Sequence, residues 1–247
     1  MKVIVVKDKE AMGKRGAKLI AEDMKKKSPY VLGLATGSTP ETLYAELGRM
    51  CKRKELDFST TISFNLDEYV GLKPTHDQSY RYFMNKKLFN LVNINKKNTF
   101  VPDGMARNVE QSCALYEEAI DACGGIDYQV LGIGSNGHIA FNEPGSSLGS
   151  RTRKVKLTKN TIEDNSRFFK NIKDVPTTAI TIGIGTILEA DKIVLLASGE
   201  NKAEAVADAI EGPITASVPA SALQTHPNVT FVIAKDAATG LKLEHQS

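Results

Sequence analysis

From Val3 to Ala234 the chain alternates short, β-branched and leucine-rich runs with segments whose apolar residues recur every three or four positions. A chain with that rhythm folds as a parallel sheet covered by crossover helices. The runs Val3–Val6, Tyr30–Leu34, Thr61–Asn65, Ile126–Ile133, Thr178–Ile184, Lys192–Ala197 and Val229–Ala234 are predicted strands. Helices are predicted from Met12 to Met24, over Pro40–Lys54 (with Leu43, Tyr44, Leu47 and Cys51 on one face), Ser79–Phe89 and Val109–Cys123. A further helix, Lys202–Glu211, ends at Gly212-Pro213. The 247 residues suffice for one α/β domain over 1–247, and no linker or repeat divides them. The polar, basic stretch 145–174 is longer than an ordinary connection, which suits either a lid over a substrate or a solvated excursion with one helix.

Composition excludes several function classes. With 32 basic against 29 acidic residues the formal charge is +3, too small a bias to argue for nucleic acid. Three scattered cysteines, an odd number, argue against a disulfide framework and for a reducing compartment. The N-terminal apolar run is too short for a signal peptide, and no stretch reaches the ~18 apolar residues of a membrane span. A cytoplasmic protein acting on a small molecule is the expectation.

Polar groups gather where strands end. Leu34-Ala35-Thr36-Gly37-Ser38-Thr39-Pro40 passes from a strand through small residues into a helix. Its N–H groups and hydroxyls suit a phosphate, although Thr39 as an ordinary N-cap explains the same letters. Lys202 stands at a similar turn, where a cation near a helix start is unfavourable unless an anion offsets it. Asn65-Leu66-Asp67-Glu68-Tyr69-Val70-Gly71 delivers two adjacent carboxylates to a strand end; on extended chain one enters the site while the other either faces solvent or anchors the loop. Desolvation would raise the proton affinity of Asp67 and suit it to a general base, whereas a turn aspartate is the plainer reading. After Ile133 comes Gly134-Ser135-Asn136-Gly137-His138, and Glu143, five residues beyond His138, can orient the ring. Gly132, Gly134 and Gly137 also spell a dinucleotide fingerprint, but the residues that follow make a poor helix start and no acidic ribose clamp lies about 20 residues on.

Together with Gly137-His138-Ile139-Ala140-Phe141-Asn142-Glu143-Pro144, Ser150-Arg151-Thr152-Arg153 and Asn165-Ser166-Arg167-Phe168-Phe169, the Asn65–Gly71 motif closely resembles the glucosamine-6-phosphate deaminase family (glucosamine/galactosamine-6-phosphate isomerases). The resemblance runs in order over nearly the whole chain. It implies a modified doubly wound, Rossmann-like α/β sheet with helices on both faces. It also implies conversion of glucosamine 6-phosphate and water to fructose 6-phosphate and ammonia in amino sugar catabolism, with no cofactor and no metal. By that resemblance Asp67, Asn136, His138 and Glu143 form the catalytic set, and Gly37, Ser38, Thr39, Arg167 and Lys202 bind the phosphate. His138 helps to open the sugar ring, Glu143 sets its orientation and charge, and Asp67 moves a proton from C2 to C1. Many members carry aspartate where this chain has Asn136, which leaves Glu143 as the acidic support of His138.

Allosteric members bind N-acetylglucosamine 6-phosphate between subunits through residues matching Ser147 and Arg153, a lysine two positions later and a tyrosine in a longer tail. Here that lysine position is Val155, flanked by Lys154 and Lys156, and the sequence stops at Ser247. Loss of this activation is therefore expected; whether the chain is a monomer or a homo-oligomer stays open. Two other readings are a 6-phosphogluconolactonase, whose Gly-His motif lacks Phe-Asn-Glu-Pro, and a non-catalytic sugar-phosphate sensor, which would not be expected to keep Asp67, His138 and Glu143.

Overall fold

The computed structural model describes residues 1–166, 169 and 171–242, without the side chains of Asn160, Asp164 and Asn165. Ten strands follow one another in the chain: β1 Lys2–Val6, β2 Tyr30–Leu34, β3 Thr61–Asn65, β4 Asp67–Tyr69, β5 Thr99–Phe100, β6 Tyr128–Gly132, β7 Arg153–Lys156, β8 Thr178–Thr181, β9 Ile193–Ala197 and β10 Val229–Ala234. The α-helices between them are α1 Lys9–Met24, α2 Glu41–Lys52, α3 Tyr80–Met84, α4 Val109–Ala122, α5 Lys159–Ser166, α6 Ile184–Leu188 and α7 Ala203–Glu211.

Seven strands form a parallel sheet in the order β1-β10-β9-β6-β2-β3-β5. Strands β2 and β9 are buried along their whole length, as expected of strands covered on both faces. Leu43, Tyr44 and Leu47 of α2, Met12 and Ile20 of α1, and Val206 and Ile210 of α7 share one continuous buried core with those strands. Pairing of β2 with both β3 and β6 makes the β2/β6 seam a topological switch point. One half of the sheet grows from β2 towards β5, the other from β6 towards β1. In open α/β sheets a crevice opens at the carboxyl ends of such strands.

A second sheet, β4-β8-β7, is antiparallel. Sequence periodicity did not expose β4 or β7, because three- and four-residue strands carry too few alternations to register. The predicted strand Thr178–Ile184 ends instead at Thr181, and Ile184 begins α6. The two sheets meet at Leu66, whose N–H donates to the Leu34 carbonyl at 3.0 Å while its own carbonyl accepts from Ile182 N at 2.7 Å. The segment 145–174 holds β7 and α5. Among the described residues no helix is long and apolar enough to cross a membrane.

Candidate active site

A cleft of about 210 Å³ opens at the β2/β6 switch point. Ala35, Thr36, Gly37 and Thr39 line it from the end of β2, Leu66 and Asp67 from the end of β3, and Gly132, Ile133, Gly134 and His138 from the end of β6. Parallel pairing explains the convergence, since it brings three distant carboxyl ends side by side.

Asp67 opens β4 and is only 5% exposed. Its Oδ1 is buried without a hydrogen-bond partner. Burial, reinforced by the neighbouring Glu68 charge, pushes its proton affinity up to about 8 against a partial lowering by the Thr36 hydroxyl. Glu68 points to the opposite side, as alternation on an extended chain requires. Its carboxylate accepts from Tyr69 N and Tyr80 N at 2.9 Å and from Arg81 N at 3.0 Å. It thus ties β4 to the first turn of α3 and holds Asp67 in register.

His138 sits in a turn that only glycine permits. Gly137 lies at φ 81°, and a Cβ on Gly134 would fall 2.1 Å from the imidazole. Ala140 two residues on also has positive φ, 51°, a strained conformation of the kind stored at functional sites. The ring is held by a relay. His138 Nδ1 is 2.7 Å from Asn136 Oδ1, Asn136 Nδ2 donates to Glu143 Oε2 at 2.8 Å, and Glu143 Oε2 lies 3.7 Å from Nδ1. A carboxylate can only accept, so Asn136 turns its amide N–H₂ to Glu143 and its oxygen to the ring. Nδ1 therefore carries the proton, and Nε2 is the basic nitrogen of the neutral imidazole. The acidic charge beside the ring is Glu143, as the sequence suggests, but the shortest hydrogen-bonded route to it runs through Asn136.

The expected phosphate residues divide. Gly37, Thr39 and Lys202 line the cleft, and Ser38 lines an adjoining groove with Tyr82 and Phe83. Arg167 lies outside the described residues. Helix α2 begins at Glu41 with Pro40 as its N-cap and no side-chain cap, so Thr39 does not fill the ordinary capping role. Lys202 closes a 3-10 turn, Glu200–Lys202, and is the N-cap of α7.

Tyr80, Ala140, Phe141 and Thr161 also line the cleft and were not singled out from sequence. Tyr80 and Phe141 stack on each other at a centroid separation of 6.0 Å and pack at tilted angles against Tyr69 in an aromatic cluster with the small sheet, at 4.8 Å (Tyr69–Tyr80) and 5.8 Å (Tyr69–Phe141). An aromatic in a helix or loop reads as core, so only its tertiary position reveals a cleft wall. The polypeptide after Gly137 forms turns and an Ile139–Asn142 bridge rather than a helix, which removes the dinucleotide reading.

Residues 7–232 match the family described as glucosamine-6-phosphate isomerases/6-phosphogluconolactonase. A glucosamine-6-phosphate deaminase of Clostridium perfringens is 54% identical over 242 residues, covering 98% of this chain and 100% of the relative. One of Thermoanaerobacter pseudethanolicus is 53% identical over 239 residues, covering 97% and 94%. Among solved structures, a monomeric glucosamine-6-phosphate deaminase of the NagB superfamily superposes with a TM-score of 0.95 at 44% identity, covering 97% of this chain and 100% of that one. A 6-phosphogluconolactonase from Trypanosoma cruzi, at TM-score 0.78 and 21% identity over 98% and 97% of the two chains, shares the fold alone. With its switch-point cleft, its paired sheets and this extent of identity, the chain belongs to the glucosamine-6-phosphate isomerase/6-phosphogluconolactonase family.

Proposed function

We propose that this protein is a glucosamine-6-phosphate deaminase, which converts glucosamine 6-phosphate and water to fructose 6-phosphate and ammonia. The observation that carries the reading is a buried, unpartnered Asp67 oxygen in the cleft that His138 also lines. A C2–H is acidic only beside a carbonyl, so the pyranose must open before a carboxylate can act. His138, held in one tautomer by Asn136 and Glu143, moves a proton between the C1 hydroxyl and the ring oxygen and frees the aldehyde. Asp67 then takes the C2 proton while the carbonyl oxygen takes one from the substrate's own ammonium group, leaving an amino-enol, and Asp67 returns its proton at C1. The resulting imine at C2 adds water and expels ammonia, which leaves the ketone. One base serves both carbons because they are adjacent.

A proton affinity near 8 suits that exchange, since a general base works best when its own pKa lies near the operating pH. Gly37, Ser38, Thr39, Lys202 and Arg167 are the proposed phosphate ligands; backbone N–H groups and cations together favour a dianion. Incubation of metal-free protein with glucosamine 6-phosphate should yield ammonia and fructose 6-phosphate in equal amounts, and plain glucosamine should react far more slowly. Release of neither product would defeat the proposal.

A further inference from the structure

The relay behind His138 does not end at Glu143. While Oε2 of that carboxylate faces Asn136, Oε1 is held from another element altogether. The Thr161 hydroxyl donates to it, and the Thr158 hydroxyl approaches at 3.4 Å. Both threonines belong to the start of α5: Thr161 N donates to Thr158 Oγ1 at 3.2 Å, and the two hydroxyls are 3.0 Å apart. Thr161 is 7% exposed and lines the cleft, so it touches the reaction space and the support of the imidazole at once. Carboxylate rotation about its terminal bond is broad, and donors on both oxygens are what narrow it.

We propose that Thr161 is a positioning residue for ring opening: its hydroxyl fixes the rotation of Glu143, and so the Asn136 bridge and the His138 ring, making the seating of α5 a condition of catalysis. The inference rests on the deaminase reading and extends it to a residue outside the four-membered catalytic set.

The test is a double-mutant cycle in the full chain, with kcat and KM for glucosamine 6-phosphate measured for Thr161→Val, Thr161→Ser, Glu143→Ala and the Glu143→Ala/Thr161→Val pair. Removing the hydroxyl at constant shape should lower kcat by ~10-fold with KM changed by less than ~3-fold. Serine, which keeps the donor, should restore kcat to within ~2-fold of the parent. In the Glu143→Ala background the valine should cost less than ~2-fold, because the partner it acts through is gone. Parental kcat in Thr161→Val, a serine variant as impaired as the valine one, or an undiminished loss in the Glu143→Ala background would each overturn the inference. Should Thr161→Val fail to fold in a thermal melt, Thr161→Ala takes its place in the cycle with the same expected pattern. A parent that releases no ammonia defeats the deaminase reading itself, whereas an active parent indifferent to Thr161 defeats this inference alone.

Discussion

Asp67 pays for its position. Its carboxyl is neutral up to about 8 when folded, against a reference of 3.8 for the unfolded chain. The folded state therefore holds a proton that the unfolded state releases, so this group's contribution to stability is complete below the unfolded value and is lost as pH climbs through the folded one. Asp67→Asn, neutral throughout, should melt ~3 °C or more above the parent at about pH 9 and within ~1 °C of it at about pH 4. A scanning-calorimetry series that shows the opposite order at high pH would mean that burial does not oppose the charge. The same variant should bind glucosamine 6-phosphate yet lose ~10²- to 10⁴-fold in turnover. For the parent, kcat/KM should rise with pH to an inflection near 8, because only the ionised carboxylate can take the C2 proton. A neighbouring position separates geometry from charge: a methyl on Gly134 meets the His138 ring at 2.1 Å. Gly134→Ala should therefore fold but drop kcat by ~10²-fold, since a misplaced ring cannot reach the sugar oxygen. Parental turnover in that variant would show that the ring relocates without consequence.

At the scale of elements, the residues leading into strand β7 are tied to helix α4, in addition to the pairing of β7 with β8. Glu117 of α4 accepts from Thr152 N at 2.7 Å, from the Thr152 hydroxyl and from the Thr186 hydroxyl of α6 at 2.8 Å, and pairs with Arg151 at 2.7 Å. This carboxylate is a staple at the entrance to the small sheet. Glu117→Ala leaves three donors unsatisfied in a partly buried place and should cost about 2 kcal/mol, or ~4–8 °C in melting temperature. Glu117→Gln keeps an acceptor oxygen and should lose roughly half as much. Equal melting temperatures for parent and alanine variant would show that the staple contributes nothing net. None of this was legible in the sequence, where Glu117 is one more acid on an amphipathic helix and Arg151-Thr152 a polar pair in a long connection. The long strands were legible because buried strands concentrate apolar and β-branched residues between turn signals, even where polar residues interrupt them as in Thr61–Asn65: Tyr30–Leu34, Thr61–Asn65 and Val229–Ala234 begin and end where their letters do. Thr161 stayed hidden for the converse reason, that a threonine opening a helix announces only a cap.

For the molecule as a whole, the switch point decides where chemistry happens and the small sheet decides what that chemistry can be coupled to. Asp67 of β4 and Arg153 of β7 both pair with Thr181 of β8, so one rung of that sheet leads from the buried aspartate to an arginine on its far strand. Arg153 donates to Asn142 Oδ1 at 2.9 Å and lies 3.4 Å from the Ser146 hydroxyl, held within the chain. Two residues on, where allosteric relatives of the resembling family place a lysine, Val155 packs against the aromatic cluster of Tyr69 and Phe141. Lys154 and Lys156 cannot stand in for it. Strand alternation sends them to the opposite face, and both are exposed while Arg153 and Val155 are half-buried. An anionic effector approaching Arg153 thus meets one cation on this face of β7. Initial velocity against glucosamine 6-phosphate should accordingly follow a hyperbola, and saturating N-acetylglucosamine 6-phosphate should change the half-saturating concentration by less than ~2-fold, well short of the 5- to 150-fold of an allosteric coupling. A sigmoidal curve that the acetylated sugar phosphate turns hyperbolic would show that the coupling survives without the lysine and runs through other residues of this sheet.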